Sequence, residues 1–203
     1  MFLAKTPAII KRYYPQLTWD IPNNEQKIYL TFDDGPIPEI TEWVLDLLNQ
    51  KSIKATFFCI GENVQKHPKI FQRIKSEGHA IGNHTFNHLN GWKTGSWAYL
   101  KSIEECQQFV HSNLFRPPYG RIKKSQANKI TRKYKVVMWD VLSGDFDQKT
   151  APEKCYENVV QNVNPGSIIV FHDSLKAERN LKYALPKAID YLQRQGFVFE
   201  VLD

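Results

Sequence analysis

Lys27-Ile28-Tyr29-Leu30-Thr31-Phe32-Asp33-Asp34-Gly35-Pro36 is the stretch that decides the fold. Residues 27–32, rich in β-branched and aromatic side chains, read as a strand, and the run stops abruptly at two carboxylates and a Gly-Pro pair. Similar runs return at residues 55–59, 79–83, 114–116, 135–140, 167–172 and 197–201, so seven strands are predicted. Between them the spacing turns helical. Ile40, Val44, Leu47 and Leu48 share one helix face, Val64, Ile70, Phe71 and Ile74 approximate another, and residues 96–111, 122–133, 152–163 and 181–195 complete the series. Gly78 and Gly196 each stand directly before a strand, where helix C-caps are expected.

Strand and helix thus alternate almost throughout, which implies right-handed crossovers and a largely parallel sheet. A full eight-unit barrel needs about 250 residues. With 203 residues, the chain is expected to form an α/β fold, a distorted (β/α) barrel of about seven parallel strands in a single domain. Residues 1–26, with Pro7, Pro15 and Pro22, are expected as an irregular N-terminal arm packed on the outside, and residues 27–203 as the catalytic domain.

The composition, 42% hydrophobic and 24% charged, excludes disorder, collagen-like repeats and coiled coil. No apolar run approaches the roughly 18 residues of a membrane span, and no transmembrane segment is expected. Residues 1–10 lack the apolar core and cleavage site of a secretory signal. Cys59, Cys106 and Cys155 are widely spaced and read as small buried hydrophobes. Both features tilt the expectation toward the cytoplasm without fixing a localisation. The net charge of +6 concentrates at residues 121–135, where seven Lys and Arg occur without an acid. A solvated helix face explains this run, and no nucleic-acid recognition motif accompanies it, so no nucleic acid is expected as a partner.

In parallel α/β folds, reactive groups sit beyond the carboxyl ends of strands. Those positions hold Asp33-Asp34, His84 with His88, Arg116, Asp140 and Asp145, and His172-Asp173. Each piece alone has a plain structural explanation: a turn, an incidental HxxxH that could lie on one helical face, a rigid Pro-rich corner, a core histidine. Together, two imidazoles and a carboxylate can hold a metal with positions left open for water and substrate, which is a hydrolytic arrangement. A second, adjacent carboxylate can serve as base if the backbone leaves strand geometry, since successive strand side chains face opposite ways. Gly35 and Pro36 are expected to supply that break.

Thr31-Phe32-Asp33-Asp34-Gly35-Pro36, His84-Thr85-Phe86-Asn87-His88, Arg116-Pro117-Pro118-Tyr119, Asp145-Phe146 and Val170-Phe171-His172 resemble, in order, the five motifs of polysaccharide deacetylases, carbohydrate esterase family 4. The resemblance runs from about residue 27 to the C-terminus and implies the same distorted barrel. It implies Asp34, His84 and His88 as ligands of a divalent metal ion, Zn2+ first, with Co2+, Ni2+ or Fe2+ as alternatives. It further implies Asp33 as general base, His172 as general acid, Arg116 orienting Asp33, and Asp145 holding His172 in its protonated form. The Tyr119 backbone N–H would help bind the oxyanion. Two positions depart from the family pattern. Phe146 replaces a tryptophan and Val170 a leucine, both at substrate-lining positions, so the catalytic set is complete while substrate preference is open.

The function these motifs imply is removal of acetyl groups from N-acetylglucosamine units of an acetylated glycan. Alternatives are an O-acetyl esterase on a polysaccharide such as xylan, and an inactive glycan-binding module.

Overall fold

The computed structural model describes residues 2–203. Its sheet is built on β1 (Lys27–Asp33), flanked by β2 (Thr56–Cys59) and β7 (Ile168–His172). Outward from β2 come β3 (Ala80–Asn83), β4 (Leu114–Phe115) and β5 (Lys135–Val136); beyond β7 lies β6 (Val141–Leu142). All of these neighbours run parallel. The first half of β1 also pairs with β8 (Val198–Glu200), so β8 and β2 share one side of it. Seven strands form the path of a curled half-barrel and the eighth caps it, as the alternation predicts.

The differences from expectation are local. Residues 135–140 do not form one strand; β5 ends at Val136, pairing with β4, and β6 begins only after Asp140, pairing with β7 at the other end of the path. Residues 64–74 do not form one helix either. They divide into two helices, Gly61–Lys66 and Pro68–Ser76, because Pro68 opens the second and disfavours helical geometry at His67, which sits at φ −128, ψ 56. Gly78 and Gly196 do end helices in left-handed geometry, both at φ +81.

Period-two patterning sorts β1 cleanly. Ile28, Leu30 and Phe32 face the helices that cover the sheet and join one large apolar core with Val44, Leu48, Ile189 and Leu192, while Tyr29 belongs to a separate interior cluster with Phe58, Val137 and Ile168. The opposite face of β1 therefore carries Tyr29, Thr31 and Asp33 toward the barrel interior. Cys59, Cys106 and Cys155 are buried free thiols. Among the described residues no helix is long and apolar enough to cross a membrane.

The N-terminal segment is less irregular than its prolines suggest. It carries helix α1 (Ala8–Tyr13) and bridges the two ends of the strand path. Thr18 pairs with Val137 beside β5, and Lys5 pairs with Val141 of β6. Main-chain bonds from the Thr18 N–H to the Val136 carbonyl and from the Leu142 N–H to the Ala4 carbonyl, both 2.9 Å, seat it in the gap the open half-barrel leaves. Leu17 and Trp19 are buried there.

Candidate active site

Strand register makes the first pairing. Asp33 at the end of β1 lies opposite His172 at the end of β7, both on the barrel interior. The strand breaks one residue earlier than the Gly-Pro pair suggests: Asp34 itself is left-handed at φ +86, which lets two successive carboxylates serve one site. The turn is held from outside. Asn63 Nδ2 donates to the Asp34 carbonyl at 2.7 Å, and Asp173 Oδ1 accepts the Gly35 N–H at 3.0 Å while its Oδ2 accepts the Thr41 hydroxyl at 2.6 Å. Asp173 is buried, and that burial, aided by the Asp34 charge and opposed by those two hydrogen bonds, pushes its pKa up to about 8. The sequence places Asp173 at a strand end but gives it no role; the signal available was the His-Asp pair itself.

His84 and His88 do not share a helical face. They follow β3 in a loop whose Thr85 and His88 are left-handed, at φ +62 and +55. Asn83 Oδ1 accepts the Thr85 N–H and Thr85 Oγ1 accepts the Leu89 N–H, which together fold the loop so that both rings turn inward. Ligand atoms of Asp34, His84 and His88 all fall within 4.8 Å of one another. His88 Nε2 lies 3.2 Å and His84 Nε2 3.9 Å from Asp34 Oδ1. His84 Nδ1 stands 2.8 Å from the Arg116 carbonyl, so a proton there donates to that oxygen and leaves Nε2 as a lone pair. Burial pushes the His84 pKa down to about 4 despite Asp33 and Asp34, keeping the ring neutral. Asp34 is held well below the usual carboxylate range: burial works against it, and the hydrogen bond with His88 and the positive charge of His172 prevail. A neutral buried imidazole, a second imidazole and an ionised carboxylate are a donor set that fits a divalent cation such as Zn2+.

Arg116 and Asp145 stand on either side of this cluster. Arg116 is fully buried and stacks 4.0 Å from the Phe58 ring. Its Nη1 donates to Asp33 Oδ1 and to Thr31 Oγ1, each at 2.7 Å, and its Nη2 to the Met138 carbonyl at 3.0 Å. Asp145, also fully buried, accepts from His172 twice, at the backbone N–H and at ring Nδ1, both at 2.7 Å. Burial lowers the His172 pKa, but the charge and hydrogen bond of Asp145 and the charges of Asp34 and Asp33 outweigh it and lift the value to about 9. Asp140, the other carboxylate considered near this position, is elsewhere: it binds Lys5, Lys11 and Ser167.

A cavity of about 530 Å³ opens over these groups, lined by Asp33, Asp34, His84, His88 and His172. Tyr119, Phe146 and Val170 line it too. The Tyr119 ring lies 4.5 Å from that of His88, with its backbone left-handed at φ +61, and the Phe146 ring lies 5.1 Å from His172.

The family model for polysaccharide deacetylase matches residues 20–139. This chain is a polysaccharide deacetylase family member. A peptidoglycan-N-acetylglucosamine deacetylase of Bacillus cereus is 36% identical over 90% of this chain and 89% of its own length. A chitooligosaccharide deacetylase of Azorhizobium caulinodans is 31% identical over 90% and 95%. The crystal structure of the Bc1960 peptidoglycan N-acetylglucosamine deacetylase, in complex with 4-naphthalen-1-yl-N-oxidanyl-benzamide, superposes with a TM-score of 0.88 at 35% identity, covering 97% of this chain and 95% of that one. The deacetylase family is a family of hydrolases acting on carbohydrate, and the half-barrel is its fold.

Proposed function

We propose that this deacetylase is a metal-dependent hydrolase, with residues 27–203 as its catalytic domain, that removes acetyl groups from N-acetylglucosamine units of a chitooligosaccharide- or peptidoglycan-type glycan. One observation carries the reading: a three-donor cluster lies in a single cavity between an arginine-bound carboxylate and an aspartate-bound histidine.

Asp34, His84 and His88 would hold the cation. Bound there, a divalent ion supplies Lewis acidity, polarising an acyl oxygen and lowering the pKa of water toward about 7. Asp33 takes the proton of the attacking water. Arg116 fixes that carboxylate through one oxygen, and the other, Oδ2, points toward His84 Nε2 at 4.0 Å and is free to accept. As the water oxygen adds to the acetamide carbonyl, the Tyr119 backbone N–H, held in its turn beside His88, helps bear the negative oxygen. His172 then gives its Nε2 proton to the departing amine nitrogen, the C–N bond breaks, and acetate and a free amino sugar leave. Asp145 keeps that proton in place from the far side of the ring. Phe146 and Val170 wall the cavity beside this pair.

Acetate release by the purified, metal-loaded protein tests the reading on acetylated chitooligosaccharides, peptidoglycan fragments and acetylated xylan. Release from either of the first two is expected. Release from xylan alone would make the protein an O-acetyl esterase, and binding of glycans without any release would make it a binding module.

A further inference from the structure

Most of the N-terminal arm, residues 1–19, precedes the stretch that matches the family model, which begins at residue 20. Yet it is part of the same cavity as the catalytic groups: Phe2, Leu3, Thr6, Ile10 and Tyr14 all line it. Its attachment is built rather than incidental. Lys5 Nζ reaches Asp140 Oδ2 at 2.5 Å and the Asn162 carbonyl at 2.6 Å, while Lys11 Nζ reaches Asp140 Oδ1 at 2.6 Å. Asp140 is nearly inaccessible, while the Lys5 and Lys11 side chains stay part-exposed, so the carboxylate end of this double ion pair is shielded from solvent. The Thr6 N–H adds a bond to the Asp140 carbonyl at 2.9 Å and its hydroxyl one to the Trp139 carbonyl at 2.8 Å.

What the arm delivers through this clasp is the ring of Phe2. That ring lies directly on Gly144, a left-handed residue at φ +81, where an added Cβ would meet a Phe2 ring atom at 2.1 Å. Gly144 is one residue from Asp145, the partner of His172. The Phe2 ring is also 5.4 Å from that of Phe146, which in turn packs against the imidazole of His172 at 5.1 Å and 63°. Three rings therefore stand in series from the arm to the proton donor. Asp145 holds the His172 backbone N–H and the Nδ1 edge of its ring, and Phe146 packs edge-to-face on that ring, which opposes tilting of its plane. Phe146 in turn is partly exposed at the cavity and depends on Phe2 for backing.

We infer that the N-terminal arm is a working wall of the deacetylase cavity, in which Phe2 is a positioning residue that holds Phe146, and through it His172, in place. The inference rests on the reading of His172 as the proton donor, and its test separates the two.

Three variants are compared with wild type in the full-length, metal-loaded protein: Phe2→Ala, Phe2→Leu, and Ile9→Ala, a highly exposed position on the same arm with no place in the cavity. Phe2→Ala is expected to lower kcat on the order of 10-fold, as sub-ångström misplacement of an acting group does, with KM changed less than about 3-fold. Phe2→Leu restores backing volume and returns kcat to within about 3-fold of wild type, and Ile9→Ala leaves it unchanged. A second readout needs no turnover. At fixed pH the NMR resonance of the His172 Cε1–H, displaced by the ring current of Phe146, moves in Phe2→Ala and stays in Ile9→Ala. If both kcat and that resonance are unmoved in Phe2→Ala, the inference is overturned, and a fall in kcat with an unmoved resonance overturns the relay as well. A moved resonance in a protein whose wild type releases no acetate from any glycan leaves the arm's role standing and refutes the functional reading instead.

Discussion

Replacing Asp145 by Asn keeps the shape of the side chain that grips His172 and removes its charge. Lifting the His172 pKa from 6.5 to about 9 corresponds to about 3 kcal/mol. The ring is only 14% exposed, so solvent screens little of this. Without the Asp145 charge, burial is opposed only by the more distant Asp34 and Asp33, and the value returns to the ordinary histidine range or below. At pH 8 a group titrating near 9 is about nine-tenths protonated and one titrating near 6.5 about 3%, so loss of the proton alone lowers kcat/KM about 30-fold. At pH 5.5 both are protonated and that part of the loss vanishes. The assay is kcat/KM for an N-acetylated oligosaccharide at several pH values from 5.5 to 9.5. Wild-type activity falls as pH rises through about 9, and the Asp145→Asn limb moves down by about two pH values or more. The same proton contributes to folding: a raised histidine pKa stabilises fully below 6.5 and the contribution disappears as pH rises through about 9. The wild-type Tm therefore declines more steeply across that window than the variant's. An equal loss of activity in Asp145→Asn at pH 5.5 and pH 8 would refute the assignment of His172 as acid.

Ala in place of Asp34, His84 or His88 removes one of three donors, so metal content, read by elemental analysis, disappears together with activity. Asp33→Asn and His172→Ala keep metal and lose about 10² to 10⁴ in rate; loss of metal from Asp33→Asn with retention in Asp34→Asn would exchange the roles of the two aspartates. Arg116→Ala leaves Asp33 and Thr31 facing a void in the barrel, and a destabilisation of about 3–5 kcal/mol is expected in denaturant titration. The basic run at 121–135 contributes little to turnover, so activity on a neutral oligosaccharide stays flat as salt rises from 0.05 to about 0.5 M; a steep fall would give that face a larger role.

Much of the site is legible because it obeys the geometry of parallel sheets. Asp33 and His172 both fall at the carboxyl ends of strands legible in the sequence, which puts them at one end of the sheet; their side-by-side register on β1 and β7 is a property of the fold. The imidazole pair is legible by spacing but not by conformation, since the loop that carries it depends on left-handed Thr85 and His88 rather than on helical period. Asp145 and Asp140 cannot be told apart by type or neighbourhood. What separates them is which partner arrives from far along the chain: His172 for one, Lys5 and Lys11 for the other. The arm is the least legible part. Its apolar residues follow no period, its prolines break what period there is, and its contacts are to segments more than a hundred residues away.

The central position of β1 has a consequence in time. β1 is among the first strands to leave the ribosome, and β2 on one of its edges, with β3 beyond it, follows promptly. β7, which fills the whole of its other edge from Tyr29 to Asp33, is made only after five further strands. At synthesis rates of 5–20 residues per second, that edge waits on the order of 10 s with its amide and carbonyl groups unpaired. The central strand of the barrel is thus nascent for the longest, and the interval in which a chaperone is useful to this protein, or a second nascent copy is harmful to it, opens at residue 33 and closes at residue 172.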